Sequence, residues 1–193
     1  MTTYAQLLTD VPAWINRSDL SAYIPTFVSL FEARVNRRLR VRQMEASFTG
    51  TIDANNLIAL PSDWMAFKAL WVDGYEGVPL KPQSLESVVS QQATSGAPYF
   101  YAIDGDSVRF DGSGDVTGVY YQSVPGLVAA GSNWLCTAAY DAYLFGVASE
   151  AHLYLLDEAR AAAFYARADD VLNNITETDR RDRFQGPLVA RVR

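Results

Sequence analysis

Ile24-Pro25-Thr26-Phe27-Val28-Ser29-Leu30-Phe31-Glu32-Ala33-Arg34-Val35-Asn36-Arg37-Arg38-Leu39-Arg40-Val41-Arg42-Gln43 is followed shortly by Phe48-Thr49-Gly50-Thr51-Ile52, and the spacing of apolar residues changes between the two. In the first stretch Ile24, Phe27, Val28, Phe31, Val35 and Leu39 recur every three or four residues, which predicts a helix over 24–43 with one core-facing stripe. Pro25 sits near its start, where proline is tolerated. Arg34, Arg37, Arg38, Arg40 and Arg42 crowd its C-terminal half, where cations complement the helix dipole. In the second stretch alternation replaces the helical period. The turn residues Asn55-Asn56 and the apolar run Leu57-Ile58-Ala59-Leu60 come next, which predicts a β-hairpin.

Working upstream, residues 3–15 predict a short amphipathic helix with Tyr4, Leu7, Leu8 and Val11 on one side and Pro12 weakening its last turn. Ser18 or Asp19 can cap a following turn. Downstream, residues 66–72 read as a strand ended by Asp73-Gly74, and 84–93 as a short capped helix. Three more strands are expected at 99–103, 107–110 and 116–122, then a connecting loop from Leu127 to Trp134. The chain returns to helix at Thr137, with Tyr140, Leu144, Val147, Ala151 and Tyr154 or Leu155 on one face. Asp157 can cap a second helix, whose stripe is Ala161, Phe164, Ala168, Val171, Leu172 and Ile175. So short a break predicts an antiparallel helical hairpin. The fold class is therefore α+β. Helical segments 1–45 and 136–180 form a bundle, 46–125 is a β-rich insertion, and 183–193 is an extended tail, all in one domain over 1–193.

Charge is segregated along the chain. Residues 1–42 carry six Arg against three acids, 43–179 five basic residues against eighteen acids, and 180–193 five Arg against one acid. An acidic body argues against wrapping nucleic acid. Opposite charges on one chain favour head-to-tail contact between its copies. Fourteen of the basic residues are Arg and two are Lys, and Arg suits interfaces through its planar, bidentate fork. No apolar run is long enough for a membrane-spanning helix. The first residues lack the pattern of a secretory signal, and the lone Cys136 fits a protein made in a reducing cytoplasm.

Catalytic chemistry has few components here. With one His and one Cys, most nucleophile–base pairs and zinc sites cannot be assembled. His152 lies in a helical pattern and reads as a surface or partly buried helix residue. Cys136 reads as a small packing residue with no neighbouring cation to activate it. The acid-rich Asp104-Gly105-Asp106 and Asp111-Gly112-Ser113-Gly114-Asp115 suggest Ca²⁺ superficially, but lack the order of oxygen ligands of a calcium loop. Two glycine turns explain them. No phosphate-binding glycine loop is present. No cofactor, metal or catalytic residue is expected. The arginines of 34–42 admit three readings: a solvated helix face, an interface with an acidic neighbour, or DNA backbone contact.

Several segments together resemble the head-to-tail adaptor (connector) proteins of tailed bacteriophages. The first is Trp14-Ile15-Asn16-Arg17-Ser18-Asp19-Leu20 followed by Phe31-Glu32-Ala33-Arg34-Val35-Asn36-Arg37-Arg38-Leu39-Arg40-Val41-Arg42-Gln43-Met44-Glu45. Leu60-Pro61-Ser62-Asp63-Trp64, Pro98-Tyr99-Phe100-Tyr101-Ala102-Ile103-Asp104-Gly105, Tyr120-Tyr121-Gln122 and Asn133-Trp134-Leu135 follow in the family's order, so the matches run over about residues 4–170. The resemblance implies a homo-oligomeric ring, commonly dodecameric, in the virion neck beneath the portal protein. The β region would face the tail nozzle or tail-completion protein, and double-stranded DNA would pass through the channel without specific binding. It also implies that the tail, with Arg183, Phe184, Pro187, Leu188, Val189, Arg191, Val192 and Arg193, is the portal-binding segment. Two rivals stay open at the level of sequence: a carboxylate-dependent cell-wall hydrolase, and a small DNA-packaging protein using the Arg-rich helix.

Overall fold

The computed structural model describes residues 3–93 and 95–183. In chain order the elements are α1 (Tyr4–Ile15), α2 (Ile24–Arg38), β1 (Glu45–Thr51), β2 (Leu57–Ala59), β3 (Trp64–Val72), β4 (Lys81–Pro82), α3 (Leu85–Ser90), β5 (Phe100–Asp104), β6 (Ser107–Phe110), β7 (Asp115–Gln122), α4 (Leu127–Ala130), α5 (Trp134–Ala138), α6 (Tyr140–Tyr154) and α7 (Glu158–Arg183). This is an α+β fold. The chain divides into two compact units, one from the segments before Met44 and after Ser123, the other Met44–Ser123.

In the helical unit, α6 is the central element. Buried residues run almost continuously from Ala142 to His152, because α1, α2, α5 and α7 all pack against it. A helix apolar on every side is one that must be enclosed. Its small residues admit close neighbours: a Cβ on Gly146 would overlap the ring of Phe31, which also meets Tyr143 edge-on at 5.4 Å. The expected stripe of α2 is buried from Ile24 to Val35, and α7 buries Ala161, Ala168 and Leu172. Asp157 caps α7, accepting the Arg160 N–H at 3.1 Å.

Three expectations are corrected. The helix α2 ends at Arg38, not near Gln43, and Leu39 is extended. Leu39 and Val41 are both buried; two positions apart on a helix they would face nearly opposite ways, so burying both requires leaving it. The loop expected from Leu127 to Trp134 contains the short helix α4, and α5 begins at Trp134 rather than Thr137. Arg183, assigned to the tail, is the last residue of α7, with its Nε 2.6 Å from Asp179. The tail residues Phe184, Pro187, Leu188, Val189, Arg191, Val192 and Arg193 lie outside the described residues.

The β unit holds two sheets, ordered β1-β7-β3 and β2-β6-β5-β4. The hairpin expected between β1 and β2 does not form. β1 pairs with β7 along all seven residues, and β2 pairs with β6. The Asn55-Asn56 turn exists but hands the chain from one sheet to the other, its N–H groups at Asn55 and Leu57 held by the Asp53 carboxylate at 2.8 and 2.7 Å. Gly50 permits the arrangement, since a Cβ there would lie 2.9 Å from the Ile58 side chain of the other sheet. Phe48, Leu70, Val108, Phe110, Val116 and Tyr120 make the shared core. Ser84 caps α3 by accepting from the Ser87 N–H.

Candidate functional site

Arg34 and Arg38 stand four apart on one side of α2, and Arg42 follows in the segment beyond its end. Each meets an acid of the same unit. Arg34 Nη2 lies 2.6 Å from Glu150 Oε1, a carboxylate almost wholly buried in α6, and its guanidinium stands 4.7 Å over the Tyr165 ring. Arg38 pairs with Asp169 and donates to Asn173 Oδ1 at 2.6 Å. Arg42 pairs with Asp182, while its backbone N–H donates to Asp179 Oδ1 at 3.1 Å. Arg40 folds back to donate to the carbonyls of Asn36 and Leu39 at 2.8 and 2.6 Å, closing the end of α2. Arg37 is exposed and has no partner among the described residues. Of the five arginines expected at an interface, three therefore tie α2 and the segment after it to α6 and α7, and Arg37 alone of the five presents an open guanidinium.

Two polar residues of the same helix turn the other way. Glu32 Oε1 accepts the Leu127 N–H at 2.7 Å and the Tyr143 hydroxyl at 2.8 Å. Asn36 Oδ1 accepts the Val124 N–H at 2.8 Å. Asn133 completes the network, donating to Tyr143 Oη and the Pro125 carbonyl, both at 2.7 Å, and capping α5 through the Cys136 N–H at 2.8 Å. These bonds hold the chain where it re-enters the helical unit. Burial raises the Glu32 carboxyl above its ordinary value, opposed by the donors from Leu127 and Tyr143. Burial, with the nearby Glu32 charge, likewise raises the Cys136 thiol, an inert environment for a cysteine. Sequence reasoning marked Glu32, Asn36 and Asn133 only as motif letters. Their signal was polar residues adjoining apolar helix positions.

His152 is buried, stacked on Phe164 at 5.3 Å between ring centroids. Its Nδ1 lies 3.8 Å from Asp157, yet burial keeps the imidazole below its ordinary value. The acid-rich turns are occupied by their own chain. Asp111 accepts the Tyr99 and Phe100 N–H groups at 2.9 and 3.0 Å, Asp104 pairs with Arg109 at 2.6 Å, and Asp115 accepts from Thr51 at 2.6 Å. Among the described residues no group of three His, Cys, Asp or Glu is placed to hold a metal ion, and no helix is long and apolar enough to cross a membrane.

What the surface offers is apolar. In the helical unit the end of α6 and the turn after it carry exposed Leu153, Tyr154 and Leu156, with Tyr23 stacked on Tyr154 at 5.3 Å. Leu156 is 87% exposed at φ 59°. In the β unit a groove of about 610 Å³ is walled by Tyr75, Val78 and Leu80 on one side and Pro98, Tyr99 and Phe100 on the other.

No curated protein matches the chain. The SU10 adaptor protein family model matches residues 2–191, so its match contains Glu32, Asn36, Asn133 and the arginines of 34–42. That match covers nearly the whole sequence, helical and β units alike: the chain belongs to the SU10 adaptor protein family, a family of bacteriophage structural adaptors.

Proposed function

We propose that the chain is one subunit of a ring in the virion neck that joins the portal vertex to the tail and lets genomic DNA pass, with 1–193 acting as a single adaptor. The observation that carries this reading is the family match over residues 2–191. The portal side would be the helical unit, with Arg37 and the tail from Arg183 to Arg193. The tail side would be the β unit. Residues 44–123 carry ten acids against three basic residues, and an acidic wall suits a channel through which DNA slides without sticking. The DNA-binding alternative is weakened because Arg34, Arg38 and Arg42 are neutralised within the fold.

Electron microscopy of virions made without the protein tests the reading. The expected result is capsids without attached tails; intact necks bearing tails would overturn it. Removing residues 184–193 should leave the helical unit folded and abolish capture by the portal in a pull-down.

A further inference from the structure

The groove of the β unit presents large apolar side chains to solvent: Tyr75 is 77%, Val78 67% and Tyr99 68% exposed. Scattered apolar residues on a surface are ordinary, but three lining one concavity mark a place where something docks. Its volume of about 610 Å³ takes a few apolar side chains rather than a whole helix. The neighbouring sheet edge constrains how an occupant sits. Lys81 and Gln83 both turn their N–H groups inward, to Tyr99 and Tyr101 at 3.0 and 2.9 Å, and Pro82 between them has no N–H. An added strand would find no donor there, so docking is by side chains in the groove and not by extending the sheet.

Lys81 is the one charged residue in the described lining of the groove, and the acids lie beside it on the adjoining loop. Asp73 and Glu76 lie on the loop that forms one wall, in a unit with ten acids against three basic residues. One segment of this protein fits both requirements. Residues 184–193 read Phe184-Gln185-Gly186-Pro187-Leu188-Val189-Ala190-Arg191-Val192-Arg193, five large apolar residues or proline, two arginines and no acid. Ten extended residues span about 33 Å, enough to lay apolar anchors in the groove and bring Arg191 and Arg193 beside the acidic loop.

We propose that the groove between the β3–β4 loop and residues 97–100 seats the C-terminal segment, residues 184–193, of a second copy of this chain. The contact is heterologous, tail to groove, and repeated around an axis it closes a ring. It deepens the proposed neck function and rests on it in one respect: the portal would take the same tail from its neighbour's groove, so ring contact and portal docking compete.

The test uses the chain truncated after Arg183, a synthetic peptide of residues 184–193, and the groove variant Val78→Asp. Val78 is exposed, so its thermal melt should match the parent's. The peptide should bind the truncated chain with a Kd on the order of 10–100 μM. Val78→Asp should weaken it by at least about tenfold, and added salt should weaken it further. Full-length Val78→Asp, which donates a tail, should form a complex with the truncated chain, which donates a groove, while neither self-associates in analytical ultracentrifugation. Equal peptide binding to the Val78→Asp groove overturns the site. Peptide binding without association of the two complementary chains overturns the second copy as occupant. Loss of portal capture on truncation, with no peptide binding, sinks this inference and leaves the neck function standing. Intact tailed necks in virions lacking the protein sink the neck function whatever the peptide does.

Discussion

The carboxylate of Glu32 in α2 accepts the backbone N–H of Leu127 at 2.7 Å, across 95 positions of sequence. The same oxygen takes the Tyr143 hydroxyl, so one buried acid orients both the returning chain and the central helix. Glu32→Ala orphans a buried N–H and a buried hydroxyl, and should lower stability by about 2–3 kcal/mol. Chemical denaturation reads it directly. Glu32→Gln keeps an acceptor and should lose markedly less; an equal loss in both variants would contradict the clamp.

Burial lifts the Glu32 carboxyl above its ordinary value near 4.5, and the sign of its pH dependence follows. A folded value raised above the unfolded one means a contribution fully present below the unfolded value and lost as pH rises through the folded one. Relative to Glu32→Gln, the parent should therefore lose stability as pH climbs from about 4.5, and the difference should level off above the folded value. The slope cannot exceed about 1.4 kcal/mol per pH unit. A difference that grows in the parent's favour over that window would refute the assignment.

Arg34 and Arg37 stand three positions apart and should behave oppositely. Arg34→Ala strands the buried Glu150 carboxylate and should cost about 3 kcal/mol in a denaturant titration. Arg37→Ala should change stability by less than about 0.5 kcal/mol, while weakening capture by the portal in pull-down. A large stability loss at Arg37 would mean that it has an internal role.

Gly146→Ala places a methyl group into the ring of Phe31. The two helices must separate, which should cost about 1–3 kcal/mol. The double variant Gly146→Ala with Phe31→Leu should recover part of that loss, and a thermal melt of the four proteins checks the coupling.

Leu156 ends α6 in a Schellman motif, with the Asp157 N–H on the His152 carbonyl and the Leu156 N–H on that of Leu153, both at 3.0 Å. Its φ of 59° is the left-handed conformation that such a position usually gives to glycine. Leu156→Gly should therefore raise stability by up to about 1 kcal/mol. If this exposed leucine is kept for a contact, the same variant should assemble less well on sizing columns despite being more stable. Unchanged assembly would reduce Leu156 to a strained turn residue.

Much of the fold was legible because burial is periodic. The stripe of α2, the caps at Ser84 and Asp157, and the positions of β3, β5, β6 and β7 follow from local spacing, and the structure agrees with them within a residue or two. The surfaces were less so. The arginines of 34–42 admitted a solvated face, an interface or DNA contact, all of them outward-facing. Their acids lie on α6 and α7, more than a hundred residues away.

The sequence alone determined where the principal helices and strands lie, that acids concentrate in the middle, and which family the chain resembles. These depend on residue types at short spacing, where side-chain period and backbone period are locked together. Only the tertiary structure decided that β1 pairs with β7 rather than β2, that α2 stops at Arg38, and that Glu32, Asn36 and three arginines act inside the fold. Those outcomes depend on which distant surface fills a given space: Ile58 over Gly50, Phe31 over Gly146, Asp169 beside Arg38. Close packing and buried charge choose partners by complementarity in three dimensions, and no local pattern records that choice.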